Sequence, residues 1–200
     1  FVLACINSEN TRQVIYEIDP RTFDIVGTYK FRDANVLAHM NTLTYNPDTN
    51  LLYTTNAMID GHRITTIDAD TMSIGNTITI PERVFNLAYD KKTNQFMSIV
   101  PIDATMRRIN YYTSQFQLVQ SKEIDANYDD YNNNGAFAND GKTIFATLST
   151  VITVDKTGNV TKIASFPKNL EIEDMDMRHN IMYAAVNMNH KVFIYTMLNY

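Results

Sequence analysis

The chain has 200 residues, 44% of them hydrophobic and 20% charged, the proportions of a globular domain large enough to bury a core. Its net charge of −5 comes with no basic cluster beyond the pairs Lys91-Lys92 and Arg107-Arg108, which excludes a nucleic-acid duplex as partner, because that surface needs a stripe of cations. No apolar run approaches the roughly 18 residues of a membrane span, and Phe1–Ile6, without a basic flank or cleavage site, reads as a core strand rather than a signal peptide.

In chain order, segments 1–8, 13–19 and 24–31 read as strands. The last two are joined through IYEIDPRTFDIVG at Ile15–Gly27, an alternating run on each side of a polar turn. A second phrase, LTYNPDTNLLYTT at Leu43–Thr55, follows, and then the first returns as ITTIDADTMSIGN at Ile64–Asn76. LAYDKKTNQFMSI at Leu87–Ile99, FANDGKTIFATL at Phe137–Leu148 and MDMRHNIMYAAV at Met175–Val186 belong with Leu43–Thr55. ITVDKTGNVTKIA at Ile152–Ala164 belongs with Ile15–Gly27. Two hairpin types alternating at a period of roughly 40–50 residues describe stacked four-stranded units, the sequence mark of a β-propeller.

The fold expected is therefore all-β, a five-bladed β-propeller of four-stranded antiparallel blades filling 1–200 as a single domain. Units 39–80, 84–125 and 135–166 are complete. Segment 1–31 reads as strands two to four of a blade, and 171–198 as strands one to three. A propeller ring leaves unpaired edges unless it closes. The expectation is that a longer chain, from which this segment is cut, supplies the two remaining strands.

Parity supports the repeat. Leu43, Leu87, Phe137 and Met175 are aligned with Tyr53, Met97, Phe145 and Tyr183 across their turns. The separations differ by an even number of residues, which keeps side chains on their faces. The turns Asn46-Pro47-Asp48-Thr49-Asn50 and Asp90-Lys91-Lys92-Thr93-Asn94 use side chains that bond their own backbone. With 6 Gly in the chain, Asn is expected at the left-handed positions.

The chemical inventory is short. The single cysteine, Cys5, lies on an alternating strand and reads as a small buried apolar residue. Nucleophile-elbow, zinc-helix and phosphate-loop motifs are all lacking, so no cofactor is expected and the chain is read as not an enzyme. Among the four histidines, His39 stands just before the innermost strand of its blade, where it can line a central channel.

Three segments point to the mouth of that channel: His39 with Asn41; Tyr128, Asp129, Asp130 and Tyr131; and EIEDMD at Glu171–Asp176, with Glu173 and Asp174 its candidates. Alternation would put Glu171 with Glu173 on one face, and Ile172, Asp174 and Asp176 on the other. Asn41, Phe85, Gly135 and Glu173 align as equivalents. Carboxylates with Asn carbonyls suit Ca²⁺, although the spaced pattern of a calcium loop is absent. Carboxylates beside a Tyr platform suit sugars, for binding or for glycosidic cleavage. Ordinary solvation of a loop rim accounts for the same residues.

HMNTLTYNPDTNLLYTTN, beginning at His39, resembles repeats of bacterial YVTN-type propellers. It is closer to a variant in tail proteins of phages infecting Gram-positive bacteria. There a His-x-Asn segment and a TYNP turn open blades of the receptor-binding, or platform, module. His39, Asn41, Thr44, Tyr45, Asn46 and Pro47 carry the likeness, with Thr42 where that motif has Asp. IEDMDM at Ile172–Met177 is similar to another blade of those proteins. The resemblance implies a non-catalytic module of a virion tail, extracellular, contacting cell-surface carbohydrate or cell-wall glycopolymer. It also implies other tail-protein domains as partners and a homotrimer. A glycosidase on a five-bladed propeller and a secreted bacterial YVTN-type propeller for protein contacts are the alternatives.

Overall fold

The computed structural model describes residues 2–6, 13–31, 37, 39–56, 61–103, 105–125, 133–139, 142–147, 149–155, 157–167, 169–178, 181–189 and 191–198. They form two compact units, Phe1–Val84 and Phe85–Tyr200. Every strand pairing in both is antiparallel. Among the described residues no helix is long and apolar enough to cross a membrane.

The first unit holds two sheets. One has the order β1 (Val2–Ile6), β2 (Gln13–Ile18), β3 (Ile25–Phe31); the other runs β4 (Met40–Asn46), β5 (Leu51–Asn56), β6 (Arg63–Asp68), β7 (Ile74–Thr79). Ile15 of the first sheet packs with Met40, Leu52 and Ile67 of the second, and Leu37 and Met72 complete the cluster.

The second unit holds three sheets. In chain order these are β8 (Ala88–Asp90) to β11 (Leu118–Asp125), with β9 (Gln95–Pro101) and β10 (Met106–Thr113) between; β12 (Asn133–Asn139), β13 (Lys142–Thr147), β14 (Thr150–Val154) and β15 (Val160–Ser165); and β16 (Glu171–Arg178), β17 (Ile181–Met188) and β18 (Lys191–Leu198). Met97, Ile99 and Ile109 pack on Phe145, Ile152 and Val154. Val151, in turn, packs with Ile172, Met175, Met182, Ala184 and Val186. β5, β6 and β9 are buried on both faces, whereas β2 and β17 bury mainly one. The fourth strands β7 and β11 are mostly exposed. Burial falls from β5 and β6 to β7, and from β9 and β10 to β11, so β7 and β11 form exposed edges of their sheets. First strands lie together: β12 sits beside both β8 and β16.

The two hairpin types have separate chemistry. Between β4 and β5, and between β8 and β9, four residues turn, and the last is asparagine in the left-handed region, Asn50 at φ 55° and Asn94 at φ 53°. Asn46 and Asp90 start these turns by accepting the amides of Asp48 and Lys92, each at 2.9 Å. Asn139 pairs with Lys142 and Arg178 with Ile181, so the other two turns of this type are two residues shorter. That is the even change expected from parity.

The second type joins the third and fourth strands. Asp68 accepts the amides of Asp70 and Thr71, and Asp155 those of Thr157 and Asn159. Here the left-handed residue is not asparagine: Phe23, Met72, Phe116 and Gly158 have φ of 62°, 54°, 61° and 89°. Bulky residues hold the first three of these positions against their intrinsic preference, and two have a compensation in the core. Met72 joins the Ile67 cluster, and Phe116 stacks on Phe96 with ring centroids 4.5 Å apart.

One alignment needs correction. Three residues before the last hairpin pair stand Leu43, Leu87, Ala136 and Met175, so Ala136 rather than Phe137 is the equivalent. Across the ladder Thr54 faces Leu43, Phe145 faces Ala136 and Ala184 faces Met175. Tyr53, Met97 and Tyr183 are therefore one position away from direct partnership, and on the other face. Leu87 and Met175 are buried, Leu43 only half-buried; the side chain of Phe137 lies outside the described residues.

Candidate functional site

A register shift recurs on the first strands. In β4 the pairing jumps between Met40 and Leu43, passing over Asn41 and Thr42; in β12 it jumps between Asn133 and Ala136, passing over Asn134 and Gly135. In β16 it jumps between Ile172 and Asp174, leaving Glu173 as the extra residue. In the third sheet the place is taken by Asn86, fully buried, whose side chain donates to the Ile99 carbonyl at 3.3 Å and accepts the Ile99 amide at 3.0 Å. Such bulges bend a strand and re-aim side chains, and they concentrate beside functional sites. Asn41 and Glu173 are equivalent positions, as expected; Asn134, not Gly135, is their counterpart in β12.

The bulge at Glu173 overturns the face assignment for EIEDMD. Ile172 opposes Val186 and Asp174 opposes Ala185, adjacent residues of β17 that point to opposite faces. Ile172 therefore shares the buried face with Met175, and Glu171, Asp174 and Asp176 share the other, opposite Asn187, Ala185 and Tyr183. The reason is that one inserted residue reverses the parity of everything before it. Acidic groups that alternation would divide are brought to one side.

Glu173 Oε1 accepts a hydrogen bond from Asn187 Nδ2 at 3.2 Å. Burial is the main cause holding its carboxyl above the usual glutamate range, the Glu171 charge adds to this, and the Asn187 bond partly offsets it. Asp174 Oδ1 accepts its neighbour Met175's amide at 2.9 Å, and Asp176 Oδ1 that of Met177 at 2.7 Å. The exposed Asp176 carboxylate keeps acceptor capacity for a polar ligand. Among the described residues, no three His, Cys, Asp or Glu side chains are placed to hold a metal ion.

Of the remaining candidates, His39 stands half-buried immediately before β4, and Asn41 is half-buried in the bulge beside buried Thr42. They belong to the first unit, whereas Glu173 and Asp174 belong to the second. Tyr128, Asp129, Asp130 and Tyr131 lie outside the described residues. Asn187 and Tyr183 joined the site only through the register. The signal for Asn187 in the sequence was its place as a polar residue at the end of an apolar strand.

No protein-family model matches the chain, and no curated protein matches it. Solved structures are similar to it. A chain of a nidogen/laminin complex aligns with a TM-score of 0.61 at 12% identity, covering 100% of this chain and 79% of that one. A Bacteroides fragilis protein described as exported gives 0.55 at 9% identity, covering 98% and 65%. Virginiamycin B lyase from Staphylococcus aureus gives 0.52 at 13% identity, covering 97% and 69%. The chain thus spans just under two thirds of the Bacteroides protein. At such identities the likeness shows the fold alone: antiparallel sheets of the β-propeller kind.

Proposed function

We propose that this chain is a non-catalytic, five-bladed propeller module of a phage tail receptor-binding protein, acting outside the cell on glycopolymer of a Gram-positive cell wall. The observation that carries the ligand class is the bulged strand β16. Glu171, Asp174 and Asp176 line one face, and Glu173 is fastened to Asn187 beside them. A row of carboxylates with an amide and Tyr183 across the ladder matches the needs of a polyhydroxylated ligand, which donates hydrogen bonds and offers apolar ring faces. The resemblance of His39–Pro47 to phage tail repeats supports the biological setting, with other tail domains and a trimeric assembly as its context. β16 lies on a first strand beside β12, away from the exposed fourth strands, and sites built on rigid elements hold their groups in place.

The test is sedimentation with purified Gram-positive cell walls, before and after the glycopolymer is chemically stripped. The protein should pellet with intact walls and stay in solution with stripped ones. Asp174→Asn, alone and combined with Asp129→Asn and Asp130→Asn, should weaken pelleting at an unchanged melting temperature. Equal pelleting with stripped walls would remove the glycopolymer reading. Hydrolysis of wall glycan that Glu173→Gln or Asp174→Asn abolishes would replace it with a glycosidase.

A further inference from the structure

The chain has 22 asparagines, and one of them, Asn134, is followed by glycine. We propose that Asn134–Gly135 is a site of spontaneous covalent modification, at which the side-chain amide is lost as ammonia and an acidic residue is left on β12. The inference is independent of the proposed function. The Gly135 backbone nitrogen attacks the side-chain carbonyl carbon of Asn134, forming a five-membered imide and expelling ammonia. Water then opens the ring at either carbonyl, giving aspartate or isoaspartate. The co-reactant is solvent water, and no oxidant or reductant is consumed.

Two features of the fold select this residue. The attacking nitrogen must leave its usual peptide geometry, which a regular ladder resists. The β12–β13 register passes over Asn134 and Gly135, and residues in a bulge stand outside the ladder. The equivalent second position of the other first strands carries a side chain, Thr42, Asn86 or Asp174. In β12 it is glycine, with no β-carbon to hinder approach and the widest backbone freedom.

Two other asparagines near the starts of first strands serve as internal controls. Asn41 precedes Thr42. Asn86 is fully buried, bonded through both side-chain atoms to Ile99 and followed by Leu87. Neither should react at a comparable rate. The new carboxylate would belong to β12, a strand that lies beside β16.

Peptide mapping by mass spectrometry of protein aged at physiological temperature and mildly alkaline pH tests this. Asn134 should convert first among the asparagines, as a mixture of aspartyl and isoaspartyl peptides. The intact protein should gain an acidic form on ion exchange that co-elutes with Asn134→Asp. Gly135→Ala should slow the conversion at least severalfold. Asn134 keeping its amide while other asparagines convert would overturn the proposal, and this reading uses the natural chain alone. Unchanged ageing of a folded Gly135→Ala would overturn it as well.

Discussion

The Tyr89 hydroxyl donates a hydrogen bond to Asn94 Oδ1 at 3.0 Å, and Asn94 is the left-handed residue that closes the β8–β9 turn. Tyr45 and Asn50 repeat the relationship at 3.0 Å in the β4–β5 turn. The recurring Tyr-x-x-x-x-Asn of the sequence is therefore a clamp. Asparagine meets the backbone requirement, and tyrosine fixes its side chain from the preceding strand.

Replacement series at this clamp should separate its two parts. Tyr89→Phe removes the hydrogen bond and should cost about 0.5–1.5 kcal/mol. Asn94→Ala loses both the bond and the residue type suited to left-handed backbone, so it should cost more, about 2–3 kcal/mol. Asn94→Gly should fall near Tyr89→Phe. Urea denaturation gives the order, and equal costs for Asn94→Ala and Asn94→Gly would mean that backbone conformation contributes nothing.

Phe23 and Phe116 share a left-handed backbone but differ in burial, 47% against 5% exposed. Glycine relieves roughly 1–2 kcal/mol of conformational strain at either place. At Phe116 this is smaller than the roughly 3–5 kcal/mol lost with a buried ring, so Phe116→Gly should destabilise by about 2 kcal/mol or more. At Phe23 the terms nearly cancel, and Phe23→Gly should change stability by less than about 1 kcal/mol. Thermal melts of the pair check the contrast.

Leu87 is fully buried. Leu87→Ala should cost about 2–5 kcal/mol, the range for a cavity in a packed core, with an unchanged far-ultraviolet spectrum. A loss under about 1 kcal/mol would place Leu87 outside the core.

Glu173 has the opposite sign from an ordinary structural carboxylate. Its folded-state pKa is raised, mainly by burial. The folded state therefore holds this proton more tightly than the unfolded chain, and stability should fall as pH rises from the ordinary glutamate value through the raised one. Glu173→Gln should flatten that fall. It should also stabilise the neutral-pH protein by about 1 kcal/mol, because the new amide can donate to Asn187 Oδ1, a buried acceptor that has no partner among the described residues. The measurement is denaturant midpoint against pH for both proteins. A parallel pair of curves would mean that Glu173 is solvated as in the unfolded chain.

Local chemistry carried the architecture into the sequence. The Asp- and Asn-initiated turns, the two alternating hairpin types and the even difference in turn length all depend on residues within one hairpin, and they were legible there. The antiparallel sheets followed from them. What depended on partners in other strands was not legible. An extra residue at Glu173 exists only by reference to β17, so alternation divided the acidic groups between two faces until the Ile172–Val186 and Asp174–Ala185 pairings brought Glu171, Asp174 and Asp176 together. The same holds for Asn187, whose distance from Glu173 in the chain hides a direct hydrogen bond. It holds again for Phe116, a residue that propensity keeps out of left-handed backbone and that stacking on Phe96 retains there. Sequence determined the turns and their order, because turn energetics are local. Tertiary structure decided the register and the strain, because both are settled by which strand lies alongside.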